Sequence, residues 1–288
     1  MIKQIRKIVY IAVAAIAMCS TAVRAQSSYT FTEGVIEDEA IYTRLETEGR
    51  KLIDNQQIVP MSKLASQLTN TQCQAALVKP SGKCITDADL YARCKSGVLV
   101  VGTLYKCSHC PNDHLRAATG FVIDESGIAI TSYHIFRGQA TDEATDITVV
   151  VMDIAGNVYP ITEVLAASLK DDVAIFRINT NRKKMYALPL ATAARAGDDA
   201  NVIGHPHNMY YSFTTGTVSR LYKREGGDKM SVTADFSQGS SGGPVLDDKG
   251  NVIGIVSATR SLYNTAQHLQ MVSREAIPVS AIYTLLKK

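Results

Sequence analysis

The sequence predicts an all-β protein, a barrel or sandwich, preceded by a helical segment, and three observations lead there. Past Ser96 at least eleven short apolar or alternating runs follow one another, separated by Gly, Asn and Asp. Between Val35 and Leu77 the apolar positions instead recur at roughly every three and a half residues, the helical period. All five cysteines beyond residue 25 (Cys73, Cys84, Cys94, Cys107 and Cys110) lie before residue 111, so whatever they brace belongs to the N-terminal part and the first strands.

Residues 1–25 read as an export signal. Lys3, Arg6 and Lys7 form a positive start, Ile8–Met18 is an unbroken apolar core, and Val23-Arg24-Ala25 places small residues where signal peptidase needs them. The apolar run is too short to span a bilayer comfortably. Lipid attachment at Cys19 is the alternative, against which stands the bulky Met18 before it. The chain is thus expected to be exported, to the periplasm or beyond, with no stable membrane insertion. Ile36, Ile41, Leu45, Leu52 and Ile53 then mark a first helix, and Pro60-Met61-Ser62 opens a second running through Leu64, Leu68 and Ala75. The stretch "VKPSGKCITDAD" breaks the pattern, which closes a helical, cysteine-containing segment over 26–95.

The strand candidates are "GVLVVGTLY", "ATGFVID", "GIAITS", "ITVVVMD", "NVYPITEVLA", "DVAIFRI", "DANVIGH", "TTGTVSRLY", "KMSVTADF", "GPVLDD" and "GNVIGIVSA". The clearest hairpin is "VLDDKGNVIGIV", with Lys249-Gly250-Asn251 at its tip. "IPVSAIYTLLKK" closes the chain as an amphipathic helix from about Pro278, its two lysines suited to the C-terminal dipole.

Charge excludes some partners. The chain holds 30 Lys and Arg against 27 Asp and Glu, but four of the basic residues sit in residues 1–25. Without that segment the balance is 26 against 27, which gives no general attraction to nucleic acid or anionic lipid.

Three stretches carry chemistry together that none carries alone. "ITSYHIF" sets His134 after a β-like run, "LKDDVAIFRI" sets Asp171 and Asp172 at the mouth of another, and "QGSSGGPVL" sets Ser240 and Ser241 before a third. They supply a base, an acid and a hydroxyl, each at the edge of a β element. "GSSGGP" resembles the Gly-x-Ser-Gly-Gly-Pro signature of chymotrypsin-like serine proteases, and His, Asp, Ser is that family's order along the chain. "ATGFVIDESGIAITSYHIF", "DDVAIFRI", "NVIGHPHNMYYSFTTGTVSRL" and "EAIPVSAIYTLL" resemble segments of the bacterial HtrA/Deg-type branch. The likeness runs from about Ser96 to Lys288, leaving no length for the PDZ domain typical of that branch.

The resemblance implies two packed antiparallel β-barrels, barrel one over about 96–185 and barrel two over about 186–276, with the C-terminal helix at about 278–287. It implies a serine endopeptidase acting on protein or peptide substrates, with no cofactor. The attacking serine of the signature precedes Gly-Gly-Pro, so Ser241 is the nucleophile and Ser240 the variable position. His134 is the base, and Asp172, which directly precedes Val173-Ala174-Ile175, is the acid in preference to Asp171. Gly239 and Ser241 supply the oxyanion-hole amides. Asp235, six residues before Ser241, stands where trypsin-type members carry the acid of a Lys- or Arg-binding pocket, whereas HtrA-type members carry an apolar residue there. The bland reading of Asp235 is a strand-end acid. "GIVSATR" resembles the substrate-pairing strand: Ser257 would brace Asp172, Ala258 and Thr259 would pair with a peptide backbone, and Arg260 could favour acidic residues. No Ile-Val-Gly-Gly start follows a basic residue, so activation by a newly cleaved N-terminus is not expected.

Cys107 and Cys110 in "CSHCPNDH" stand at zinc-ligand spacing, with His109, His114 or Cys94 as partners. An oxidising compartment favours a Cys107–Cys110 or Cys94–Cys107 disulfide instead, and Pro111 excludes c-type haem attachment. His205 and His207 in "GHPHN" read as turn residues. The rival reading of the whole is a catalytically silent relative that binds peptides or partner proteins along the Ser257 strand; a simple esterase is a third. Oligomeric state is unknown at this level.

Overall fold

A computed structural model describes residues 35–110, 113–141 and 143–287; the export signal of residues 1–25 and Cys19 lie outside the described residues. Six strands close into a barrel: β1 (Val98–Cys107), β2 (Asp113–Asp124), β3 (Ile128–Ser132), β4 (Ala144–Met152), β5 (Val158–Ser168) and β6 (Val173–Ile178), in the order β1-β2-β3-β6-β5-β4. Seven more strands form a second, open sheet: β7 (Asn201–Gly204), β8 (Ser212–Thr214), β9 (Val218–Arg224), β10 (Gly227–Val232), β11 (Pro244–Leu246), β12 (Val252–Thr265) and β13 (His268–Pro278). Their order is β8-β7-β11-β12-β13-β10-β9, all pairings antiparallel. The architecture is therefore the mostly-β double-barrel kind that the sequence predicts, with the second unit left open as a half-barrel.

The helical segment is not an appendage. Helix α1 (Asp38–Asp54) buries Ile41, Leu45 and Gly49, a four-residue repeat that makes one stripe. That stripe lies flat on the first barrel. A Cβ on Gly49 would meet Leu104 Cδ1 at 2.7 Å, and one on Gly102 of β1 would meet Leu45 Cδ2 at 2.9 Å, so both glycines are required by the close approach. Burying Ile41 and Leu45 stabilises the contact by about 1.5–3 kcal/mol each. Helix α2 (Met61–Ser66) buries Met61 and Leu64.

Alternate residues of β1 consequently enter two different apolar clusters. Val98, Val100 and Leu104 pack with Ile41, Leu45 and Leu90, whereas Leu99 and Val101 pack with Met61 and Leu64. A strand covered on both faces reads as an unbroken apolar run, which is why "GVLVVGTLY" does not alternate.

Three local expectations are corrected. The second helix stops at Ser66 rather than running to Ala75. Asn70 instead spends its groups on β5, its side chain donating to the Val164 carbonyl (2.9 Å) and its carbonyl accepting from Ala167 N–H (2.8 Å). A third helix, α3 (Asp87–Cys94), sits where "TDAD" ends the breaker stretch, and Thr86 Oγ1 caps it by accepting from Asp89 N–H at 3.2 Å. Strands β12 and β13 extend into a long hairpin turning at Thr265 and His268, beyond the predicted "GNVIGIVSA". The β11–β12 hairpin forms with Leu246 opposite Val252, and the Asp247 carboxylate receives Lys249 N–H and Asn251 N–H (2.9 and 2.8 Å).

Helix α4 (Ser280–Leu285) buries Ala281, Ile282 and Leu285. It is tied back to the segment that follows helix α2, because Cys73 N–H donates to Leu285 O (2.9 Å) and Lys287 N–H donates to Cys73 O (2.8 Å). Among the described residues no disulfide braces the N-terminal part: Cys73, Cys84 and Cys94 are thiols, with Cys94 buried against Gly250. Cys107 lies instead beside Cys110 and His114, so a Cys94–Cys107 pairing is not made.

Candidate active site

Strand pairing closes the gap between His134 and Asp172. β3 pairs with β6 in a register that sets Ser132 opposite Val173, so the chain leaving β3 and the chain entering β6 meet at one barrel end. His134 sits in the short 3-10 turn Tyr133–Phe136 after β3. Phe136 anchors that turn, buried edge-on against Phe176 with ring centroids 5.5 Å apart.

Asp172 has φ +53°, a left-handed conformation costly for a residue with a Cβ and held here by its partners. Its carbonyl accepts from Tyr133 N–H (3.0 Å), and its Oδ1 accepts from His134 N–H (3.0 Å). The imidazole Nδ1 lies 2.9 Å from Oδ2 and 3.1 Å from Oδ1. With Nδ1–H directed to the carboxylate, Nε2 is the free base position. Asp171 is turned to a different task, its Oδ2 accepting from Ser168 Oγ at 2.8 Å in the preceding turn. The two neighbouring acids are thereby told apart.

Ser241 stands in the loop between β10 and β11. Gly239 and Gly242 flank Ser240-Ser241 at φ +100° and +84°. A Cβ on Gly242 would come within 2.3 Å of Thr131 Oγ1 and 2.4 Å of Thr119 O, and one on Gly239 within 2.3 Å of His205 O. Only glycine fits either place. The loop is pinned from the first barrel by Thr119, whose N–H donates to Ser241 O (3.1 Å) and whose Oγ1 donates to Gly239 O (2.8 Å). From the second sheet, Gly242 N–H donates to Val256 O (2.9 Å). Among the described residues neither Gly239 N–H nor Ser241 N–H is engaged in a backbone hydrogen bond. Ser240 is fully buried with its hydroxyl unpartnered, so it is not exposed to a substrate.

His134, Gly239 and Ser241 line one cavity of about 290 Å³, with Thr103, Arg116 and Gln139. The Ser241 hydroxyl donates to the Ser257 carbonyl at 3.4 Å and makes no hydrogen bond to His134. A larger cavity of about 660 Å³, lined by Asp124, Arg177, Lys183 and Lys184 among others, contains none of these three residues. Size here does not follow chemistry.

Ser257 does not brace Asp172: the two share no hydrogen bond, and it is the Ser257 carbonyl, accepting from Ser241, that is engaged. A bulge between Val256 and Ala258 puts Ser257 out of register with β13. Ala258 and Thr259 pair with Glu275 and Arg274 on one edge, while β11 reaches only as far as Ile255 on the other. The second edge of residues 257–259 is thus open to an added strand. Asp235 is not the base of a pocket. Its side chain is 73% exposed and ion-paired to Arg274 at 2.7 Å, which is the strand-end reading.

His205 is a residue that sequence reasoning missed. Expected in a turn, it is fully buried, with Nε2–H donating to Leu99 O (3.1 Å) and Nδ1 accepting from Tyr211 N–H (3.0 Å). Burial lowers its pKa from 6.5 to about 4, so the ring is neutral. It joins β1 to the segment after β7, directly behind Gly239. The only available signal was the apolar run "NVIG" leading into it. His207 does lie in an exposed turn, with φ +49°.

Residues 118–255 match the family model described as the trypsin-like peptidase domain. The chain is 31% identical over 155 residues to Protease Do-like 1, chloroplastic, of Arabidopsis thaliana, covering 50% of this chain and 34% of that protein. It is 25% identical over 186 residues to serine endoprotease DegS of Haemophilus influenzae, covering 62% and 52%. The chain spans about half or less of the length of these curated relatives. Among solved structures it is similar to the HtrA-type protease AlgW with decapeptide, at TM-score 0.56 and 19% identity, covering 70% of this chain and 66% of that one. Residues 118–255 thus resemble a trypsin-like peptidase domain, the chain is similar in sequence to HtrA-type proteases, and it shares their fold.

Proposed function

We propose that this chain is a serine-type endopeptidase that hydrolyses peptide bonds through Ser241, His134 and Asp172. The observation that carries the reading is the His134–Asp172 pair, 2.9 Å from Nδ1 to Oδ2, whose His134 lines the same cavity as Ser241 and Gly239, the two residues whose amides make no backbone hydrogen bond. Asp172 holds the imidazole in the tautomer that leaves Nε2 bare. His134 Nε2 takes the Ser241 proton as Oγ attacks the scissile carbonyl carbon. The carbonyl oxygen, now negative, is received by the two amides, where one donor is worth about 2.7–4 kcal/mol of transition-state stabilisation. Collapse breaks the C–N bond, and His134 returns the proton to the leaving amine. Water then repeats the sequence on the acyl-enzyme.

The hydroxyl must first swing from the Ser257 carbonyl to the imidazole, a tightening that substrate binding commonly brings about. The open edge of residues 257–259 supports a substrate held as an added strand. Ser240 offers a neutral buried hydroxyl and no charge to receive a new N-terminal amine, in keeping with an enzyme not activated that way. Export through residues 1–25 is part of the proposal, and no helix among the described residues is long and apolar enough to cross a membrane.

The Ser241–Ser257 hydrogen bond favours one other reading, a silent scaffold that binds peptides at the same edge. A fluorophosphonate probe separates the two. The wild type labels and Ser241→Ala does not; a wild type that never labels, or a variant that still does, refutes the catalytic assignment.

A further inference from the structure

We propose that Cys107, Cys110 and His114, at the tip of the β1–β2 hairpin, bind a divalent cation that prefers thiolate and imidazole, zinc in the first place. β1 ends at Cys107 and β2 begins at Asp113. The ladder sets Lys106 opposite Asp113 and Tyr105 opposite His114, so His114 comes back beside the turn that starts at Cys107. The Cys-x-x-Cys turn then folds the second sulfur onto the first.

The three ligand atoms form a nearly equilateral triangle: 3.2 Å between the sulfurs, 3.1 Å from Cys107 Sγ to His114 Nε2, and 2.9 Å from Cys110 Sγ to the same nitrogen. A disulfide would draw the sulfurs to each other and leave the ring aside. Here each sulfur is as near the nitrogen as it is to the other sulfur. Tetrahedral zinc, with Zn–S about 2.3 Å and Zn–N about 2.0–2.1 Å, has ligand-to-ligand edges of roughly 3.6–3.8 Å. Moving each atom outward by a few tenths of an ångström admits the ion.

The surroundings hold the ligands in place. The His114 ring lies against Tyr105, with centroids 5.3 Å apart and planes 30° from parallel. That contact fixes which way Nε2 points. Ser108 N–H donates to Glu143 O at 3.0 Å, and Cys107 pairs with Ala144 of β4, so the side of the turn that carries Cys107 is anchored. All three residues are partly exposed, which leaves a path for the ion and room for a water as fourth ligand. On binding, both thiols release their protons to solvent, and two thiolates with one neutral imidazole balance the 2+ charge. Sulfur and nitrogen donors select against calcium and magnesium. The site has a consequence for the cleft: Arg116 and Ala117, two and three residues beyond His114, line its wall, so the ion clamps the end of a strand that borders Ser241.

The test uses the full chain, purified with a phosphine reductant. Added zinc should bind at one ion per chain, read by a chromophoric chelator, and cobalt(II) should give a thiolate-to-cobalt charge-transfer band. Cys107→Ser, Cys110→Ser and His114→Ala should each lose that band, while Cys84→Ser keeps it. Circular dichroism on each variant shows whether the fold survives. Should any fail to fold, iodoacetamide mapping replaces it, with zinc protecting Cys107 and Cys110 but not Cys84. A reduced wild type that takes up neither zinc nor cobalt overturns the proposal. So does a band that persists in all three ligand variants.

Discussion

Acidification should destabilise this fold through one buried side chain, His205. Its ring is fully buried between Leu99 O and Tyr211 N–H, and burial lowers its pKa from 6.5 to about 4. The native state keeps the ring neutral, whereas the unfolded chain protonates it once the pH falls below about 6.5. Its contribution is thus complete above that pH and is lost as the pH falls towards 4. At about 1.4 kcal/mol per unit, the window removes about 3 kcal/mol in all, and about 2 kcal/mol by pH 5. The assay is equilibrium urea unfolding of the wild type and His205→Gln from pH 7.5 to 4.5. Every other ionisable group is common to both proteins and cancels in the difference. The variant starts less stable, and the gap narrows by about 2 kcal/mol between pH 6.5 and 5. A gap that stays constant over that range refutes the reasoning. Should the variant not fold, NMR of the wild type replaces it, and His205 must keep its neutral shifts at pH 5.

Asp172→Asn should leave the fold in place but lower kcat by roughly 10⁴, because an amide at that place reverses the tautomer of His134; a loss under tenfold in burst-corrected turnover would remove Asp172 from the proposal. Gly242→Ala should destabilise by about 1–3 kcal/mol or more in thermal unfolding and abolish probe labelling, since the added methyl collides with Thr131 and Thr119 at φ +84°. With Asp235 already paired to Arg274, reporter peptides ending in Lys should be cleaved no faster than those ending in Val. A strong Lys preference lost in Asp235→Ala would restore Asp235 as a pocket acid.

Sequence alone carried the parts that rest on local patterning and on a fixed motif. Runs such as "GIAITS" and "DVAIFRI" announce strands because their periodicity and breakers are local, and "GSSGGP" suggested a nucleophile loop through its resemblance to a fixed motif, with which the lack of room for a side chain at Gly239 and Gly242 agrees. Elements whose reason lies elsewhere in the chain were less legible. Strand β13 carries Leu269 and Met271 exposed, so its alternation does not mark a buried face. The capped helix α3 is eight residues long and hides behind a proline- and glycine-bearing stretch.

What the sequence by itself determined is the order and kind of the β elements, since each depends on residues within one short window; His134 and Ser241 were singled out only by three stretches taken together and by their resemblance to a known motif. Tertiary structure decided what depends on pairing across the chain. The β3–β6 register sends Asp172 to the imidazole and Asp171 to Ser168. Arg274 settles the charge of Asp235, and helix α1 becomes part of the core. It also turned His205 inward and brought Cys107, Cys110 and His114 to one point. Spacing in sequence fixes how far apart residues can be, but only strand register and packing fix which atoms touch.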